Sequence, residues 1–199
     1  VMPRYTLAEF NTHRMLSKNS ASSRAIPFNK MVKSIQDSPF VPYAWQVDHK
    51  GMQGTEYLEN SHLIEEATRL WLKARDNAVM SATLLNGSVG GKAVTKQLVN
   101  RLLEPFMYHK VLVSGTEWEN FFNLRCPSYT FHNDDSTNDF VYKSRKEAIK
   151  DLGGDNPVEY PELNVALGKL STVQWLELNA GQADIHMMEL AECIYDAIK

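Results

Sequence analysis

The sequence predicts an α+β fold of mixed helices and a small sheet, and three observations carry that prediction. Between Glu56 and Leu85, eight apolar residues (Leu63, Ile64, Ala67, Leu70, Trp71, Ala74, Ala78 and Ala82) recur at helical spacing and call for one long helix. Two short apolar runs, Tyr5 to Phe10 and Phe106 to Val113, read as strands. Helical periodicity returns from Gln182 to Ile198, with Met187, Leu190, Ala191, Ile194 and Ile198 on one face.

The elements follow in order. After the first strand comes a polar elbow, and Pro27 then opens a short helix to Ile35, with proline at the first helical position. Phe40 to Gln53, with Pro42, Trp45 and a turn at Gly51, receives no element. Asn86-Gly87 stops the long helix. Lys92 to Leu103 forms another, closed by Pro105. Thr116 answers Glu119 three residues on, the spacing of a capping box, and starts a further helix. Pro127 to Gly181 mixes a polar loop, a basic stretch from Lys143 to Lys150 and a helix from Pro161 to Leu178.

Composition narrows the function. A chain of 199 residues with 43% hydrophobic content is long enough for one core. A net charge of −3 argues against a nucleic-acid-binding protein, which needs a broad basic surface. No apolar run approaches the length that spans a bilayer, and no signal peptide is visible. Two cysteines, Cys126 and Cys193, make no disulfide framework, so a cytoplasmic setting is the expectation.

The elbow, Thr12 to Arg24, is the chemically distinctive segment. It holds Arg14, Lys18, Arg24, His13, Asn19 and four serines, and no acid. Such a segment is either a solvated loop or an anion site, where guanidiniums fork onto phosphate oxygens and hydroxyls fill the gaps. Other segments carry less. Gly87 to Ala93 imitates a phosphate loop but is one residue short and has Ala93 where a hydroxyl should hold magnesium, so it reads as a turn between helices. His132 to Asp135 with Asp139 lacks EF-hand spacing, and the six histidines have no ligand spacing, so no metal is expected. Cys126 beside Arg125 has the neighbouring cation that activates a thiol, but no histidine placed as its base.

The spacing of the elbow resembles the signature of the flavin-dependent thymidylate synthases, R-H-R-x-x-S-x-N-E-x-S-x-R-Y. His13, Arg14, Ser17, Asn19, Ser22 and Arg24 match, while Thr12, Ser20 and Ala25 replace the first arginine, the glutamate and the tyrosine. Three further elements follow in the family's order. Asn120, Leu124 and Arg125 resemble its asparagine and Leu-Arg pair; Arg101 to Pro105 its Arg-(three residues)-Pro; Gln182 to His186 its Gln-x-Glu-Ile-Arg. The family's first motif follows a longer segment, so the resemblance implies either a longer parent chain or a shortened variant. More than fifty residues separate Arg125 from Gln182, which makes 127–181 an insertion between a core of 1–126 and a returning helix, 182–199.

The resemblance implies the family's α+β fold and FAD-dependent methylation of dUMP to dTMP, with methylenetetrahydrofolate and NADPH as co-substrates. It implies a homotetramer with shared active sites. Carried over residue by residue, Ser22, Arg24 and Arg101 hold the dUMP phosphate, and His13, Arg14, Asn19 and Asn120 lie along the flavin. Gln182 sits by the pyrimidine, and Arg125 is the catalytic residue, stabilising charge that develops on the ring. Without the resemblance, Arg125 is a surface arginine favoured by a helix dipole, and Arg24 and Arg101 are surface ion-pair partners. The altered motif leaves two alternatives open: hydroxymethylation of a pyrimidine deoxynucleotide on the same scaffold, and a nucleotide- or flavin-binding relative without catalysis.

Overall fold

A computed structural model describes residues 1–51, 54, 56–131, 140–153, 170–177, 179 and 183–199. The chain divides into two compact units, Val1–Trp45 with Leu58–Thr116, and Gln46–Tyr57 with Glu117–Lys199. Helices and small antiparallel ribbons make up both, an α+β composition. The division drawn from motif order puts its boundary after 126 and keeps 182–199 with the core; the compact units part at Thr116 and group Glu117–Arg125 with the last helix.

In the first unit β1 (Met2–Pro3) pairs antiparallel with β3 (Tyr108–His109), and β2 (Ser17–Ser20) with β4 (Val111–Ser114). The expected strand from Tyr5 to Phe10 is instead a 3₁₀ turn, Arg4–Thr6, followed by helix α1, Leu7–Phe10. The buried residues explain this: Thr6 and Phe10 lie four apart, the spacing of a helix face. Phe106 to Val113 is likewise not one strand. Phe106 closes a 3₁₀ turn and the rest serves two ribbons.

Helix α2 (Phe28–Asp37) has Pro27 as its N-cap and buries Met31 and Ile35, four apart. The long helix, α3 (Ser61–Gly87), starts on Asn60, whose side chain accepts from the N–H groups of His62 and Leu63. Its C-cap is Ser88. A tight turn follows in which Val89 and Lys92 pair, with Gly90 at φ 57° and Gly91 at φ 83°. Two consecutive left-handed residues define a hairpin turn, which accounts for the glycines that imitate a phosphate loop. The helix expected from Lys92 to Leu103 shrinks to α4 (Lys96–Val99), capped by Thr95, and tightens into the 3₁₀ turn Asn100–Phe106 with Pro105 inside it.

The core of this unit gathers Met31, Ile35, Ala82, Val99, Leu103, Phe106 and Met107. Phe40, fully buried, stacks on Tyr5 at 5.3 Å and meets Trp71 and Tyr108 edge-on, while the Trp71 indole donates to the Phe40 carbonyl at 2.8 Å. An indole N–H satisfied in this way avoids the penalty of an unpaired buried donor.

In the second unit α5 (Trp118–Arg125) starts one residue later than the capping box predicts. Its N-cap, Glu117, makes no side-chain cap bond, and Glu119 instead binds the Lys143 ammonium at 3.0 Å. Ribbon β5 (Tyr129–Phe131) with β6 (Phe140–Tyr142) packs with α6 (Arg145–Gly153) and helix Thr172–Glu177 around Tyr129, Tyr142, Ala148 and Trp175. The last helix runs Ile185–Ile198. Asp184 caps it, accepting from the N–H groups of His186 at 3.0 Å and Met187 at 3.2 Å. Gln182, residues 132–135 and 139, and most of the expected 161–178 helix lie outside the described residues. Among those described, no helix is long and apolar enough to cross a membrane.

Candidate functional site

The elbow leaves the end of α1 through local hydrogen bonds. The Thr12 hydroxyl donates to the Glu9 carbonyl at 2.7 Å, and the Leu16 N–H donates to the His13 carbonyl at 3.3 Å. Leu16 is buried and anchors the turn. Lys18 bends back over it: its ammonium donates to the carbonyls of His13 and Leu16 and lies 5.1 Å from the Phe10 ring centroid. Burial lowers its pKa. One of the elbow's three cations therefore serves the fold.

The next stretch is β2, where side chains alternate by the strand period: Ser17 and Asn19 are exposed, Lys18 and Ser20 half-buried. The Ala21 N–H donates to the Lys110 carbonyl at 2.9 Å and carries the pairing with β4 one step further. The chain then turns through a 3₁₀ turn, Ser23–Ala25, with Ser22 as N-cap. Ser22 makes no side-chain cap bond and stays exposed, as does Arg24.

Ser23 fastens this turn from below. Its hydroxyl donates to a carboxylate oxygen of Glu104, whose other oxygen holds Arg4 at 3.3 Å. The Asn100 amide donates to the carbonyls of Ser23 at 2.8 Å and Ile26 at 2.9 Å. Arg101 follows Asn100 in the 3₁₀ turn Asn100–Phe106, which packs against Ser23–Ala25. Two segments that the sequence separates by some seventy residues, one with Ser22 and Arg24 and one with Arg101, are thus tied by three side-chain hydrogen bonds. A shallow groove of about 510 Å³ borders Arg101, with Arg4, Leu7, Asn11, Glu104 and Pro105 along it.

Arg14, Arg24 and Arg101 are exposed and make no ion pair among the described residues. The elbow itself has no acid, and Glu104, which accepts from Ser23 of the elbow, is already paired with Arg4. Fixed backbone with free guanidiniums is the arrangement that suits a phosphate, since the ligand meets unpaired donors on a turn that need not reorganise.

The structure brings six of the nine candidate residues, His13, Arg14, Asn19, Ser22, Arg24 and Arg101, into the first unit. Asn120 and Arg125 belong to the second, on α5: Asn120 exposed in its first turn, Arg125 half-buried in its last, where the helix dipole favours a cation. Asn100, Glu104 and Arg4 were not singled out by motif or spacing. Asn100 had one weak signal: with Arg101 it stands between the apolar pairs Leu98-Val99 and Leu102-Leu103, and an amide buried there demands partners.

Cys126 is not an activated thiol. Burial, with the charge of Glu192, pushes it up to about 12, against which the pull of Lys143 is the weaker influence. Among the described residues no group of three His, Cys, Asp or Glu side chains is placed to hold a metal ion. Compared with known proteins, the chain matches no family model, no curated protein and no solved structure.

Proposed function

We propose that the elbow and the Arg101 turn form the phosphate end of a pyrimidine-nucleotide site, and that the chain carries out FAD-dependent methylation of dUMP to dTMP. The observation that carries this reading is the Asn100 tie. It joins two turns bearing unpaired exposed guanidiniums, Arg24 and Arg101, and these are the residues that the family resemblance assigns to the nucleotide phosphate.

The donors present also fit a flavin dinucleotide. Arg14, Asn19 and the half-buried His13 lie on the acid-free elbow, and its exposed guanidinium has no ion-pair partner to displace. When bound, FAD would supply the hydride chemistry, with NADPH as reductant and methylenetetrahydrofolate as one-carbon donor. In this reading Ser22, Arg24 and Arg101 hold and orient the nucleotide. Arg125 and Asn120 act from α5, Arg125 by stabilising negative charge on the pyrimidine, and Gln182 stands by the ring. The homotetramer with shared sites belongs to the same proposal.

The test is the mass of the nucleotide after incubation of the protein with dUMP, FAD, methylenetetrahydrofolate and NADPH. A methyl-sized gain is expected, abolished by Arg125→Ala. A hydroxymethyl-sized gain would move the assignment to a pyrimidine hydroxymethylase. An unchanged nucleotide from protein that binds flavin would overturn the catalytic reading and leave a nucleotide- or flavin-binding protein.

A further inference from the structure

The groove beside Arg101 has the make-up of a ligand site. Its volume of about 510 Å³ lies within the range that holds a small organic molecule. Its apolar lining comes from Leu7 and Ala8 of α1 and from Pro105 of the 3₁₀ turn. Three groups of different chemistry join that lining: Arg101, Asn11 and Tyr5. Arg101 is exposed and makes no ion pair among the described residues. Asn11 follows Leu7 by four residues, one helical turn, and its N–H donates to the Leu7 carbonyl at 2.9 Å. Its side-chain amide is exposed and makes no hydrogen bond among the described residues. Tyr5 is 46% exposed, and stacking on the buried Phe40 at 5.3 Å fixes the plane of its ring.

The groove and the turn that bears Ser22 and Arg24 share one fastening. Glu104 lines the groove, accepting from the Ser23 hydroxyl with one carboxylate oxygen and holding Arg4 with the other. The groups along the groove are those a nucleotide needs: a cation for phosphate, an aromatic ring for a planar base, and an amide that sets a donor beside an acceptor. An acyl chain would leave Arg101 and Asn11 unused, and a bare phosphate would use Arg101 alone. The Asn11 amide matches uracil through O4 and N3–H. Turned over, it matches cytosine through the amino group and N3.

We infer that this groove seats the pyrimidine ring of the nucleotide whose phosphate Arg101 and Arg24 hold, with the ring against Tyr5 and its hydrogen-bonding edge on Asn11. This rests on the nucleotide reading above and adds to it the place of the base. A groove this shallow covers one face of the ring and leaves the other open, as transfer of a one-carbon group to the ring requires.

Calorimetric titration of the full chain with dUMP, dCMP and deoxyribose 5-phosphate, which has no base, tests the inference. Arg101→Gln is expected to weaken all three ligands about tenfold. Asn11→Ala and Tyr5→Leu are expected to weaken the two nucleotides about tenfold and to leave deoxyribose 5-phosphate unchanged, whereas Tyr5→Phe, which keeps the ring, retains nucleotide binding. Asn11 is exposed and holds nothing in place, so its variants keep the fold even if Tyr5→Leu does not. Asn11→Asp presents acceptors only. It should cost dUMP more affinity than dCMP, whose amino group still donates, and the added charge cancels in that ratio because both ligands carry the same phosphate. Unchanged dUMP affinity in Asn11→Ala and Tyr5→Leu, with the loss in Arg101→Gln retained, would overturn the placement of the base and leave the phosphate site standing. No binding of dUMP to the unsubstituted chain would overturn the nucleotide reading itself.

Discussion

Asn100 donates to the Ser23 carbonyl at 2.8 Å, across 77 residues of chain, and the second N–H of the same amide reaches Ile26. Its own side-chain oxygen is buried and meets no hydrogen-bond partner among the described residues. The amide therefore acts as a donor clamp on the 3₁₀ turn that carries Arg24. Asn100→Ala removes both bonds, leaves two carbonyls short of a donor and should lower stability by about 2 kcal/mol in urea unfolding. Asn100→Asp should be worse, because a carboxylate oxygen would replace the donor and face both carbonyls. An unchanged midpoint in the alanine variant would show that the tie carries no stability.

A second prediction concerns the buried charge in the other unit. Glu192 is 1% exposed and accepts from the Arg145 backbone N–H at 2.6 Å, its Nε at 2.9 Å and the Tyr129 hydroxyl at 3.3 Å. Burial pushes the Glu192 carboxyl above its ordinary value near 4.5, and the bonds from Arg145 pull it back only in part. Arg145→Ala strands that carboxylate and should cost about 3–5 kcal/mol, whereas Arg145→Met with Glu192→Leu should recover most of the loss. The sign of the pH effect follows from the raised value. The folded state holds the proton more tightly, so this group's contribution falls as pH rises from 4.5 through the folded value. The deficit of Arg145→Ala should shrink as the solution is acidified from neutral pH, because Glu192 takes up its proton above its ordinary value. A deficit that grows on acidification would contradict the assignment.

What the sequence shows of this fold depends on how far away each deciding contact lies. Helix Ser61–Gly87 is legible because its period repeats over 27 residues. Which of its two apolar faces enters the core is not legible, since that depends on Val99, Leu103 and Phe106 filling one side. Thr116 and Glu119 have the spacing of a cap, but Glu119 answers Lys143, a partner 24 residues on that no local rule finds. The elbow is legible as an acid-free cationic segment. That Lys18 turns inward while Arg14 and Arg24 stay exposed is decided by two carbonyls of a turn that the strand expectation does not contain.

His109 sets a third expectation. It is 4% exposed, with Nδ1 3.2 Å from the Met2 carbonyl and Nε2 without a hydrogen-bond partner among the described residues. Burial, then the positive charge of Arg4, holds its pKa below the ordinary 6.5. Its neutral form is the folded form, so stability should be complete above 6.5 and decline as pH falls from there toward the lowered value. His109→Gln should flatten that part of the profile in chemical unfolding. A slope that persists unchanged in the variant would place the titration elsewhere.

The two thiols provide a fourth. Burial raises Cys126 to about 12 and Cys193 to about 11, the latter also through the carboxylates of Glu189 and Glu192. Both should react with iodoacetamide at mildly alkaline pH at least about tenfold more slowly than free cysteine, because little thiolate is present. Cys126→Ser should leave any turnover of dUMP intact. Loss of turnover with the fold retained would return Cys126 to the mechanism.

The last prediction separates the elbow's cations by the work they do. Lys18 satisfies carbonyls of His13 and Leu16, so Lys18→Met should cost about 1 kcal/mol of stability and leave nucleotide affinity unchanged. Arg24 and Arg101 have no ion pair among the described residues, so Arg24→Gln and Arg101→Gln should barely alter unfolding. Each should raise the dissociation constant for dUMP about tenfold, a loss near 1.4 kcal/mol, by removing one charge-assisted contact to phosphate. The loss should be smaller for deoxyuridine, which lacks the phosphate, and calorimetric titration of both ligands reads the difference. If Lys18→Met weakens dUMP binding while the two arginine variants do not, the phosphate lies on the turn at His13 to Leu16, away from the Arg101 turn.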